Sequence, residues 1–145
     1  MRLSRESRYA ILALGELARH EDGEIVEARV LARPTGLPPP FLRKILATLV
    51  AAGILESYRG RGYRLARPAS EITLVQILES IGDDAFGDRR CIFWREECSV
   101  DDPCPLHFRW RDLRPTMEGA LGALTLDQIR DHGFGQLPDV HATPR

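Results

Sequence analysis

The sequence predicts a mainly α-helical fold with one small β-wing, and three observations lead there. Apolar residues recur at helical spacing through most of the chain. A single stretch, ILESYRGRGYRLAR, instead reads as two short strands around a glycine–arginine turn. Near the C-terminal end, a set of large apolar residues repeats with heptad steps, the mark of a long helix that pairs with another.

Taken in chain order, Ser4 is placed to cap a first helix whose Ile11, Leu12, Leu14, Leu17 and Ala18 form one broad apolar face, ending before Gly23. A short second helix covers Glu27 to Arg33, and Pro34 with Gly36 stops it. Proline is tolerated in a first helical turn, so Pro39 and Pro40 open a third helix that Gly53 closes. Within it Phe41, Leu42, Ile45, Leu46, Leu49 and Val50 are expected to face the core, leaving Arg43, Lys44, Ala47 and Thr48 outside. Strands follow at Ile54 to Tyr58 and Tyr63 to Ala66, joined by Arg59-Gly60-Arg61-Gly62. Thr73 and Gln76 form a capping box for a fourth helix running to about Gly82.

Helix, turn, helix, then an arginine-tipped hairpin is the winged helix-turn-helix pattern. Its second helix lies in a major groove while the wing reaches phosphates or the minor groove. Charge agrees. Residues 1–67 hold twelve Arg and Lys against seven Asp and Glu, a net +5, whereas residues 68–145 hold eight against fourteen, a net −6. A basic front half points to a polyanion partner, here double-stranded DNA. Pro40, Arg43 and Lys44 at the start of the third helix are the candidates for base contacts. Arg59 and Arg61 on the wing, with Arg2, Arg5 and Arg8 near the first helix, are the candidates for phosphates.

A long helix is expected from Pro105. Leu106, Trp110, Leu113, Met117, Ala120 and Leu124 step by four, three, four, three and four. Helix over that span would be roughly 28 Å long, and a chain of this size has too little core to cover the stripe. A homodimer joined through Leu106, Trp110, Leu113, Met117 and Leu124 is the economical solution, and it suits a two-fold DNA site. Pro115 is expected to bend this helix. Thr125 and Gln128 cap a short terminal helix.

All three cysteines fall in CIFWREECSVDDPCPLH, at Cys91, Cys98 and Cys104, and His107 follows. Six, five and two residues separate successive members. Cys104 stands at the leading edge of the long helix, where the dipole is expected to favour a thiolate. Three thiolates and an imidazole form a closed four-ligand set, suited to tetrahedral zinc or to an iron–sulfur cluster, and spacing does not separate the two. A thiol redox switch using a Cys98–Cys104 disulfide is a further possibility. An odd cysteine count with no export signal indicates a reducing cytoplasm. No stretch is apolar enough to span a membrane, and no nucleophile–base pairing or phosphate loop suggests an enzyme.

Three stretches together carry a family likeness: MRLSRESRYAILAL, FLRKILATLVAAGILES running into RGRGYRLARPASEIT, and the cysteines ending in CPLHFRWRDL. On these the chain resembles, over nearly its whole length, the Rrf-two family of winged-helix regulators. The resemblance implies a homodimeric repressor or activator whose operator affinity is set by an iron–sulfur cluster answering to iron, redox or nitric oxide. Some members take an acidic ligand near the start of the first helix, where this chain has Arg8. IscR-like members use a histidine three residues after the last cysteine, where His107 stands. What the resemblance implies here is therefore a 2Fe–2S cluster on Cys91, Cys98, Cys104 and His107 rather than a 4Fe–4S one, with structural zinc or a thiol switch at the same residues as the alternative. The expected division is a reading domain over 1–82, a cluster-binding loop over 83–104, the dimerisation helix and short terminal helix over 105–131, and a disordered tail over 132–145.

Overall fold

The computed structural model describes residues 3–83, 91, 93, 95 and 98–133. Arg2 and residues 134–145 of the expected tail lie outside the described residues. Six α-helices and one hairpin follow in the order α1 (Arg5–Leu17), α2 (Ala28–Ala32), α3 (Pro39–Ala51), β1 (Leu55–Tyr58), β2 (Gly62–Leu65), α4 (Leu74–Ile81), α5 (His107–Gly122) and α6 (Leu126–His132). Short 3-10 turns sit at Arg33–Thr35 and Ala69–Glu71. The mainly helical fold with a two-stranded wing is thus observed.

Ser4 caps α1, its hydroxyl oxygen accepting from the Ser7 N–H at 3.1 Å. The helix is buried on more than one face: Ser7 and every residue from Ala10 to Gly15 are covered. This exceeds the single apolar face expected. The reason is position, since α2, α3, α4 and α6 all pack against α1. The α2–α3 turn is held by Thr35, whose hydroxyl donates to the Ala32 carbonyl (2.6 Å) and accepts from the Leu37 N–H (3.0 Å). Leu42, Leu46 and Leu49 carry α3 into the core, each fully buried. Truncating any one of them to alanine removes about 2–5 kcal/mol.

Phe41 departs from the expectation. It is 60% exposed, because at 100° per residue it lies beyond the arc centred on Leu42, Leu46 and Leu49. Ile45 and Val50, also assigned inward, are half-buried at the rim.

In the wing, Leu55 pairs with Leu65, Glu56 with Arg64, Ser57 with Tyr63 and Tyr58 with Gly62. A third, one-residue strand was not foreseen: Val26 and Tyr63 exchange backbone hydrogen bonds of 2.8 and 2.9 Å. That contact dictates Gly62, where φ is +128° and a Cβ would sit 2.1 Å from the Val26 carbonyl oxygen.

The capping box of α4 forms as read, Thr73 and Gln76 satisfying each other's backbone N–H groups. Gly82 ends that helix at φ +74°. The long helix is shorter than expected, beginning at His107 rather than Pro105 and ending at Gly122. It runs through Pro115 as one element. Leu124 therefore lies past its end, packed on the core of its own chain, and its carbonyl accepts from the Leu74 N–H at 2.7 Å. The Thr125–Gln128 capping box opens α6, which returns to the body: Leu126 and Ile129 join the core, and Arg130 Nη1 donates to the Ala18 carbonyl at 3.1 Å.

Candidate metal centre and nucleic-acid interface

Cys91, Cys98 and Cys104 converge, their Sγ atoms all lying within 4.8 Å of one another. Cys91 and Cys104 are 3.4 Å apart, and Cys98 Sγ lies 3.1 Å from His107 Nδ1. The four donors thus form one cluster. Two elements position them. His107 is the first residue of α5, its N–H bonded to the Cys104 carbonyl at 3.0 Å, so the last cysteine and the histidine are tied into one turn. Cys98 is held by the turn that follows it. There the Asp102 N–H bonds Ser99 Oγ at 3.2 Å, while the Arg95 guanidinium pairs with the Asp102 carboxylate and donates to its carbonyl at 3.3 Å. The SVDDP sequence carries that turn signal; the partnership with Arg95 had none.

The electrostatics reverse one expectation. Cys104, 4% exposed, has its thiol pushed up by burial, and the Leu106 N–H only partly offsets this. It lies ahead of the helix cap at Leu106, so the dipole acts on it less directly than the sequence suggested. The thiolate-prone cysteine is Cys91. Burial opposes its charge most strongly, yet the N–H groups of Arg95 and Phe93, aided by the Cys104 and Cys98 thiols, outweigh it and bring it down to about 7. Three sulfurs and an imidazole nitrogen drawn together, one thiol already inclined to ionise, are chemically suited to a soft or borderline metal.

The segment enters from α4 through a latch the sequence did not reveal. Asp83 Oδ2 accepts from the Ser4 N–H at 2.8 Å and from the Ser7 hydroxyl at 2.5 Å. A carboxylate thus caps the N-terminus of α1 from 76 positions away in sequence from Ser7, beyond any local pattern.

The second cluster is cationic. Arg43 from the first turns of α3 faces Arg59 and Arg61 from the wing across a cleft of 590 Å³, with Arg29 and Tyr63 also lining it. Pro40, Arg43, Lys44, Arg59 and Arg61 are all exposed. Arg29, which lines the cleft, is already partnered, bonding Glu27 at 2.7 Å; elsewhere on the wing, Arg64 bonds Glu56 at 2.6 Å. Arg64 also lies 5.0 Å over the Tyr58 ring, bracing the hairpin from within. Glu56 is held below the usual carboxylate range by its bonds from Arg64 and Tyr58.

At the cap of α5 Leu106 is 43% exposed, and on the helix Leu113 is 51% exposed, Trp110 and Met117 are half-covered, and Ala120 is exposed. Phe108 and Leu121 add 43% and 42% exposure on neighbouring faces. Trp110 Nε1 is buried and has no hydrogen-bond partner among the described residues. No helix among the described residues is long and apolar enough to cross a membrane.

Fold and site together define a winged-helix regulator with a cysteine-rich centre. The Rrf2 (Rrf-two) family, described as an iron-dependent transcriptional regulator, matches residues 3–132, and the chain belongs to it. It is 30% identical to the HTH-type transcriptional regulator IscR of Photorhabdus laumondii, over 89% of this chain and 79% of that protein. Among solved structures, T. potens IscR superimposes with a TM-score of 0.67 at 25% identity, covering 96% of this chain and 93% of that one. CymR, the global cysteine regulator of B. subtilis, superimposes at 0.74 with 22% identity over 92% and 99% of the two chains, a likeness of fold. This is a family of DNA-binding transcriptional regulators, not of enzymes.

Proposed function

We propose that the protein is a homodimeric transcriptional regulator whose operator affinity is set by an iron–sulfur centre, preferentially 2Fe–2S, held by Cys91, Cys98, Cys104 and His107. The observation that supports this is the convergence of four donors, three sulfurs within 4.8 Å of one another and His107 Nδ1 3.1 Å from Cys98 Sγ, in a chain of a family described as iron-dependent. When bound, such a group supplies reversible one-electron chemistry and lability toward oxidants, nitric oxide or iron shortage.

The chain's own residues convert that into DNA affinity. Asp83 fixes the start of the segment to α1 of the reading domain, and Cys104 with His107 fixes its end to the root of α5. Holding all four ligands together closes the segment between two anchors. Their release frees α5 to shift relative to α1. In a dimer paired through Leu106, Trp110, Leu113 and Met117, with Leu124 flanking, that shift changes the separation of the two α3 helices. Half-sites about 34 Å apart tolerate little error in that separation, so the DNA-competent population changes. Pro40, Arg43 and Lys44 meet base edges, and Arg59 and Arg61 meet phosphates.

A second reading, structural zinc, is favoured by the sulfur spacing. Three sulfurs within 4.8 Å of one another approach the separation of about 3.8 Å expected for thiolates on one tetrahedral ion. Purification without oxygen separates the two. The cluster reading predicts red-brown protein with acid-labile sulfide in amounts equal to iron, and a colourless Cys98→Ala variant. Colourless wild-type protein with stoichiometric zinc and no sulfide contradicts it.

A further inference from the structure

Phe41 is the large hydrophobic side chain that the reading domain leaves most exposed, at 60%. It stands at the tip of α3, at the third position of the helix. The backbone around it offers little to a polar ligand. Pro39 and Pro40 occupy the first two helical positions and have no N–H. The next two N–H groups, of Phe41 and Leu42, both turn back to the Pro38 carbonyl, at 3.0 and 3.4 Å. A helix start ordinarily presents free donors that hold a phosphate. This one has been stripped of them, and Pro38, Pro40 and Phe41 make it apolar and exposed instead.

Cations border that tip on both sides. Phe41, Lys44 and Thr48 follow one another at spacings of three and four, which sets them in one exposed strip along α3. Arg43 projects on the other flank and lines the cleft shared with Arg59 and Arg61. With Arg59 and Arg61 held by phosphates, the tip of α3 meets the groove beside Arg43 and Lys44 as a phenyl ring without donor or acceptor. Polar base edges lose their hydration against such a surface and gain no bond in return. The apolar group that a B-form major groove offers is the C5-methyl of thymine.

We propose that Phe41 is a specificity-determining residue that reads a C5-methylated pyrimidine, thymine in ordinary DNA, at one position in each half-site. This rests on α3 being the base-reading helix. The proline-capped, donor-free tip makes the contact apolar, and the flanking Lys44 and Arg43 set its depth.

The test uses the dimer purified without oxygen and an operator obtained by selection from random duplexes. Each thymidine of one half-site is replaced in turn by deoxyuridine, which lacks only the methyl, and affinity is measured at fixed salt for wild type and Phe41→Ala. One position is expected to weaken wild-type binding about fourfold per half-site, the worth of one buried methyl-sized group. Phe41→Ala should bind more weakly than wild type and be indifferent to deoxyuridine at that same position. In a second arm, 5-methyldeoxycytidine at that position should retain more affinity than deoxycytidine for wild type alone. Wild type that tolerates deoxyuridine everywhere, or a Phe41→Ala variant with undiminished sensitivity, overturns the assignment of Phe41 while leaving DNA reading by α3 intact. Wild type that selects no duplex at all overturns the DNA-reading assignment itself, and this proposal with it.

Discussion

At position 62 the chain has no freedom. Gly62 carries φ +128° and lies where any Cβ would meet the Val26 carbonyl oxygen at 2.1 Å, so an alanine cannot enter without parting Val26 from Tyr63. Gly62→Ala is expected to lose more than about 2 kcal/mol in denaturant unfolding, from backbone strain and the broken bridge together. Gly60, at φ +71° with open space around its Cβ position, should tolerate the change far better. The cysteines differ from one another at the same scale. In metal-free protein Cys91 is brought down to about 7, while burial raises Cys104. Iodoacetamide labelling followed by peptide mass spectrometry should therefore show Cys91 reacting half-maximally near pH 7. Labelling should fall below that pH as the thiolate is protonated, and Cys104 should lag throughout. Equal profiles for the two would remove the proposed asymmetry. Neither fact was legible in the sequence. A glycine in RGRGY signals a turn, but the residue it must avoid is 36 positions earlier. Thiol acidity depends on the N–H groups of Phe93 and Arg95, which only the folded loop brings to Cys91.

At the level of elements, local signals are legible in the sequence where they are self-contained. Ser4, the Thr73–Gln76 box and the Thr125–Gln128 box each placed a helix start correctly, because a cap and its partner lie within one turn. Errors arose where tertiary packing decides. Phe41 sits on the edge of an apolar arc, and periodicity cannot say which edge the neighbouring helix covers. Leu124 keeps the heptad step but follows the helix end and packs inward. The Asp83 latch is wholly non-local. Replacing Asp83 with alanine removes the acceptor of the Ser4 N–H and of the fully buried Ser7 hydroxyl, which keeps the Ser4 hydroxyl as its partner, at a cost of about 1–3 kcal/mol. On the coupling argument it should also blunt the response of operator binding to loss of the centre. A destabilised variant with the full response would detach the latch from signalling. For α5, Leu113 is 51% exposed in a single chain, and if the proposed dimer pairs through it, Leu113→Glu should yield monomers by sedimentation with the helical fold retained. Unchanged dimers would place the interface elsewhere.

The whole molecule carries a basic surface on α3 and the wing and a sulfur-lined site at the root of α5. Arg43, Lys44, Arg59 and Arg61 are exposed on the side bearing α3 and the wing, whereas Arg29 and Arg64 are committed to Glu27 and Glu56. Each phosphate contact contributes to the salt dependence of binding, so Arg61→Ala, which removes one contact per subunit, should flatten the slope of log affinity against log salt by about 1.8. The same change at Arg64 should act through wing stability and leave the slope alone. His107, the last of the four candidate ligands, opens α5, and Asp83 beyond the end of α4 bonds the start of α1. That placement makes the central claim one of coupling. Its most direct test is operator affinity measured on one oxygen-free preparation, before and after the iron and sulfide are stripped by chelation, at identical salt and protein concentration. Coupling predicts that affinity changes at least tenfold for wild type and not at all for Cys98→Ala. Equal affinity of loaded and stripped wild-type protein, with both forms folded and dimeric, would contradict it.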